Sequence, residues 1–171
     1  GMEGQASYTF SADSVSGKVW MSGATYKVKP AATIEYTADV LDVGANFNAG
    51  NIGITGYYYK GEGVGTTMMH NAAASATGNK RDSDGGYLQA TYVLPTKTKL
   101  GLAYGVSKLD LATGETLTSL VKENKRITLG AYHPLTKHLN LVGELNQIES
   151  ESHLGRKNTS DSVSLGAILF F

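Results

Sequence analysis

The sequence predicts an all-β protein, an antiparallel transmembrane β-barrel with meander connectivity, of which this chain supplies about eight or nine strands. Three features predict it. Apolar residues recur at every second position in segments of about ten residues, the length a tilted strand needs to cross a bilayer. Tight turns alternate with long polar loops, as at the two ends of an outer-membrane barrel. The final segment, "SVSLGAILFF", keeps the alternation to the last residue and closes on an aromatic.

Taken in chain order, residues 8–10 read as the start of a strand, and residues 18–28 and 33–37 as two more. Leu41, Val43, Ala45 and Phe47 then oppose Asp42, Gly44, Asn46 and Asn48, and Ile52, Ile54 and Tyr58 oppose Gly53, Thr55, Tyr57 and Tyr59. Downstream the pattern is cleaner. Leu88, Ala90 and Tyr92 face away from Gln89 and Thr91; Leu100, Leu102 and Tyr104 away from Lys99, Gly101, Ala103 and Gly105; Ile127 and Leu129 away from Arg126, Thr128 and Gly130. The last two strands set Leu139, Leu141 and Leu145 against Asn140, Glu144 and Asn146, and Val163, Leu165, Ala167, Leu169 and Phe171 against Ser162, Ser164 and Gly166. Short turns are expected at residues 29–32, 49–51, 95–98 and 134–138, and long loops at 61–84, 109–124 and 149–161. "ATYKVKPAATIEY", "ATYVLPTKTKLGLAY" and "GAYHPLTKHLNLVGEL" form a weak repeat of strand end, proline turn and new strand.

Composition narrows the function classes. Fifteen Lys plus Arg balance fifteen Asp plus Glu, which argues against general nucleic-acid binding. No cysteine means no disulfide, thiolate zinc site or cysteine nucleophile. Mean hydropathy is −0.18 and the longest apolar run is five residues, too short for a spanning helix, but hydropathy averaging is blind to strands with one apolar face. A soluble barrel alternates too, with its apolar face inward; packing the Gly, Ser, Thr, Asn, Glu, Lys and Arg of the second face into a dry core would leave many polar groups without partners. Turning the wall inside out puts the apolar face on lipid and the polar face on water. Tyr92, Tyr104, Tyr132 and Phe171 are then expected near the interfacial aromatic girdles. No apolar leader opens the chain, so either a signal peptide has been removed or the chain begins partway through a longer protein.

"GNIGITGYYYKGEGVGTT", "KRDSDGGYLQATYVLPTKTKLGLAYG", "GAYHPLTKHLNLVGEL" and "SLGAILFF" resemble the C-terminal part of Gram-negative general-diffusion porins. The whole chain, residues 1–171, reads as one barrel domain, and residues 50–171 carry the resemblance. It implies a wide barrel, usually of about sixteen strands and usually a homotrimer, in the outer membrane, passing ions and small hydrophilic solutes. It also implies that Phe171, with Leu169, Ala167, Leu165 and Val163, is a terminal signal read by the outer-membrane barrel assembly machinery. The chain holds about half the expected strands, and no counterpart of the family's inward-folded constriction loop is recognisable.

Motifs for chemistry are absent. "GEGVG" at residues 61–65 lacks the helix start and Lys-Ser/Thr pair of a phosphate loop and reads as a flexible external loop. His133 and His138 flank a turn without a third metal ligand, no nucleophile elbow surrounds any serine, and Glu149 with Glu151 and Asp82 with Asp84 read as solvated loop charge. The expectation is no catalysis and no cofactor. The charges of interest are those assigned to the water-facing wall: Arg126, Lys99 and Lys18 with Glu144, Asp42 and Glu35. The leading reading is a passive diffusion channel. The alternative is a small closed barrel with a structural or adhesion role, whose interior side chains would fill; Gly101, Ala103, Gly105, Gly130 and Gly166 argue for open space instead.

Overall fold

The computed structural model describes residues 1–31, 34–116 and 118–171. Among the described residues nine strands form one antiparallel sheet in sequence order: β1 (Met2–Ala12), β2 (Val15–Ala31), β3 (Ile34–Ala49), β4 (Ile52–Glu62), β5 (Asp82–Val93), β6 (Lys99–Leu109), β7 (Val121–Thr136), β8 (Leu139–Ser152) and β9 (Lys157–Leu169). Every neighbour pair is a simple up-and-down connection. β1 and β9 are the two edges, and among the described residues no pairing joins them.

Because side chains alternate along a strand and directly paired residues point the same way, the register sorts the sheet into two faces. The apolar face carries Tyr8, Val19, Met21, Leu41, Val43, Ile54, Leu88, Leu102, Leu129, Leu145 and Leu165, all exposed. Burial of apolar surface is thus not what holds this face, and backbone pairing with its neighbours does that work. One register row, Lys60–Asp84–Lys108–Glu123–Glu151–Lys157, borders the apolar band on the same face with alternating or compensated charge.

Several connections differ from expectation. The hairpin between β1 and β2 turns at Asp13 and Ser14, with Asp13 at φ 49°, and joins the tight turns after β3, β5 and β7 at one end of the sheet. Residues 29–31 belong to β2, so the turn expected at 29–32 lies at the opposite end, and its Ala32, like Thr33 of the expected strand 33–37, lies outside the described residues. The proline repeat therefore does not mark one end of the barrel. The loop expected over 149–161 shrinks to residues 153–156, because β8 and β9 run on beyond the apolar band and pair through charge: Lys157 Nζ lies 3.2 Å from Glu149 and 3.3 Å from Glu151. The other two long connections are residues 63–81 and 110–120; Leu117 of the latter lies outside the described residues. Tyr132 sits on the polar face rather than in a girdle, and Tyr104 stands mid-strand on the apolar face.

Candidate functional site

The polar face is a hydrogen-bonded wall. Gln5 Nε2 donates to Ser22 Oγ (3.1 Å), which donates to Asp42 Oδ1 (2.9 Å), across three adjacent strands. Asn46 Nδ2 donates to Thr55 Oγ1 at 2.8 Å, and Tyr132 donates to Glu144 Oε1 at 2.6 Å. Arg126 is held by neutral acceptors: its Nε donates to Thr128 Oγ1 (3.1 Å) and Asn146 Oδ1 (3.2 Å), and its Nη2 to the same Asn146 oxygen (2.7 Å). Among the described residues no carboxylate lies within ion-pair distance of that guanidinium.

Five of the six charges expected on this wall, Lys18, Asp42, Lys99, Arg126 and Glu144, share the polar face. Glu35 does not. β3 is one continuous strand, so Glu35 has the phase of Leu41 and Val43 and projects from the opposite face, where Lys29 Nζ meets it at 2.6 Å. Of the terminal residues, Val163, Leu165, Ala167 and Leu169 share the apolar face of β9, and Phe171 lies fully exposed beyond the strand.

The segment expected to be a flexible external loop is packed onto the polar face. Val64 (2% exposed) and Ala73 are buried with Tyr36 and Ala38 of β3, and Val28, Val40 and Met68 flank them. Gly63 and Gly65 take positive φ (70° and 72°), and a Cβ at Gly65 would meet the Asn71 backbone. Thr67, Met68, His70 and Ala72 also adopt left-handed φ, a strained conformation that surrounding contacts must maintain. Those contacts extend to β6, where Ser107 Oγ accepts from Thr67 N–H at 3.2 Å and shares a hydrogen bond with Tyr59 OH at 3.0 Å.

An ion pair between buried Arg81 and part-buried Glu115 locks the far end of this loop. Arg81 donates from Nε and Nη2 to Glu115 (2.8 and 2.6 Å) and from Nη1 to the carbonyls of Ala72 and Ala74 (both 2.7 Å), while Ala112 N–H adds a bond of 2.8 Å to the same carboxylate. The Arg81 hydrogen bonds, with the Ala112 amide, hold the Glu115 carboxyl below the usual carboxylate range. Sequence reading missed both residues, since a pair 34 positions apart leaves no local trace. The landing site of the loop did leave one: Ile34, Tyr36, Ala38 and Val40 are apolar in the phase opposite to Leu41 and Val43, which marks a patch of the polar face that something covers.

Among the described residues no group of three or more His, Asp or Glu side chains converges as a metal site would require. His133, near the end of β7, pairs through Nδ1 with Thr98 Oγ1 (2.9 Å), and His138, in the turn between β7 and β8, through Nδ1 with the Phe170 carbonyl (3.1 Å).

No protein-family model matches the chain, and no curated protein matches it. Among solved structures it is similar to the crystal structure of the outer membrane channel DcaP of Acinetobacter baumannii, at 17% identity and a TM-score of 0.76, over 97% of this chain and 51% of that one. The chain thus spans about half the length of that protein, and the likeness establishes the fold: a porin-like outer-membrane β-barrel wall.

Proposed function

We propose that this chain forms part of the wall of a water-filled outer-membrane channel of the general-diffusion type, through which ions and small hydrophilic solutes pass down their gradients without a chemical step. The observation that carries the proposal is the separation of faces. All nine strands present apolar side chains outward, suited to lipid, while the opposite face is a network of Ser, Thr, Asn, Tyr and charged groups suited to water. The row of charges from Lys60 to Lys157 suits the headgroup layer at the loop side.

Residues 63–81 narrow the pore in this reading. They lie on the polar face from β2 to β6 and leave the wall from β7 to β9 open. Further strands from the complete protein close the barrel between the edges β1 and β9, and the resemblance to porins supports a homotrimer assembled by recognition of the Phe171 terminus. The unpaired edges favour this reading over a small closed barrel, which needs β1 and β9 to meet. The test is conductance of the complete protein in planar bilayers. Stable ohmic steps support the channel, and a membrane-inserted protein without conductance refutes it.

A further inference from the structure

One register row crosses the polar face with an uneven profile: Trp20, Gly44, Tyr57, Tyr87, Gly105, Arg126 and Ile148 are directly paired in succession from β2 to β8. Tyr57 and Tyr87 lie with ring centroids 5.7 Å apart and planes inclined by 32°, and Tyr59 follows at 6.4 Å from Tyr57. Beyond this aromatic bank the wall drops to Gly105 and rises again at Arg126. Two strand spacings place the Cα atoms of Tyr87 and Arg126 about 10 Å apart.

The gap is not a by-product of glycine-rich packing. Elsewhere on the polar face an aromatic ring lies over a glycine: a Cβ at Gly85 would come within 2.8 Å of Tyr59, and one at Gly130 within 2.8 Å of Tyr132. Gly105 has no such cover. A Cβ there would meet only Tyr87 Cβ at 3.5 Å and the Gly86 carbonyl at 3.6 Å, ordinary contacts, and its φ is not in the left-handed region. Neither backbone conformation nor crowding requires glycine at 105, so what its missing side chain provides is the space itself. That space opens into a groove of about 470 Å³, of the size that holds small ligands, roofed by Met68 of the inward loop, whose sulfur accepts from Tyr57 OH at 3.9 Å.

Arg126 supplies the complementary end. It is oriented by Thr128 and Asn146, and among the described residues no carboxylate pairs with it and its Nη1 has no hydrogen-bond partner. A positioned, unneutralised guanidinium is a carboxylate receptor, and tyrosine faces are a platform for a flat ring. We propose that the slot between Tyr87 and Arg126 is a binding subsite for a flat-ringed carboxylate, ring against Tyr87, which Tyr57 backs, and carboxylate on Arg126, which gives the pore a preference within the small solutes it passes. The site rests on the channel reading for its biological use, but its existence is measurable without conduction.

The experiment uses the complete protein folded in detergent micelles and measures binding of benzoate by saturation-transfer NMR, with acetate and benzyl alcohol as probes that each lack one half of the match. Benzoate should bind saturably, and both partial probes at least about tenfold more weakly, the usual cost of losing a charge-assisted hydrogen bond or a ring contact. Arg126→Gln should weaken benzoate binding by about tenfold or more. Gly105→Leu should do the same by filling the slot, with no change of charge. Acetate binding as well as benzoate, or either variant binding benzoate like the parent, overturns the subsite. Planar-bilayer recordings separate the two ideas: benzoate binding in a protein that does not conduct removes the channel and keeps the site, whereas open channels with no benzoate binding in micelles remove the site and keep the channel.

Discussion

Replacing Glu115 by alanine should release the inward loop without unfolding the sheet. The Arg81 and Glu115 side chains are 10% and 19% exposed, close to the regime in which removing one partner of a buried pair costs about 3 to 5 kcal/mol. Arg81 would keep the Ala72 and Ala74 carbonyls as acceptors, so the lower end applies, about 3 kcal/mol. At about 1.4 kcal/mol per factor of ten, the opening equilibrium of the loop rises by about a hundredfold. Hydrogen exchange reads it directly. The amides of His70, bonded to the Val64 carbonyl at 2.8 Å, and Arg81, bonded to the Ala73 carbonyl at 2.9 Å, should exchange about a hundredfold faster, while ladder amides of β6 and β7 keep the parent rate. Replacing Arg81 as well should restore part of the protection, because the stranded charge is then gone. Because the folded-state pKa of Glu115 lies below its unfolded value, the contribution of the pair is complete above the ordinary carboxylate range and is lost only as pH falls through the depressed value. Loop protection, corrected for intrinsic exchange, should therefore hold from neutrality down to that range and fail below it. Parent-like exchange at His70 and Arg81 in Glu115→Ala would refute the reasoning.

Leu88 stands on the apolar face, 61% exposed and four residues from both Asp84 and Tyr92, whereas Leu141 is the third residue of β8 beside a turn. Leu88→Arg should cost about 2 to 4 kcal/mol and Leu141→Arg about 0 to 1, measured by reversible unfolding in lipid, and equal costs would contradict the depth assignment. Phe171→Ser should lower outer-membrane levels of the complete protein while its circular dichroism stays β-rich once folded in detergent; normal levels would show that the terminal aromatic carries no assembly role. Arg126→Glu should shift the reversal potential of the complete channel in a salt gradient toward cation preference, since it reverses a charge on the polar wall and leaves the apolar face untouched. An unchanged potential would place Arg126 away from the ion path.

What the sequence determined by itself is what local alternation can encode. A strand has period two, so Leu100, Leu102 and Tyr104 against Gly101, Ala103 and Gly105 identify a two-faced wall before any partner strand is known. With two incompatible faces and too few apolar residues on one of them for a dry core, the barrel class follows. Polarity was a poorer guide to where strands stop. Glu149, Glu151 and Lys157 look like loop residues, yet they continue the ladder above the apolar band, because backbone pairing does not require an apolar side chain. Splitting β3 in two reversed the face assigned to Glu35, since a strand carries its phase through unbroken and one residue of slip exchanges the faces.

Only the tertiary structure decided what happens between strands. The inward loop depends on a patch of β2 and β3 finding Val64 and Ala73, and on Arg81 meeting Glu115 across 34 residues. The row from Tyr57 through Gly105 to Arg126 exists because three registers are each fixed to the residue. Register is a relation between two strands, set by turn geometry and by the whole face that must match. No single stretch of chain contains it, which is why Gly105 reads in the sequence as one more small residue and in the fold as the floor of a slot.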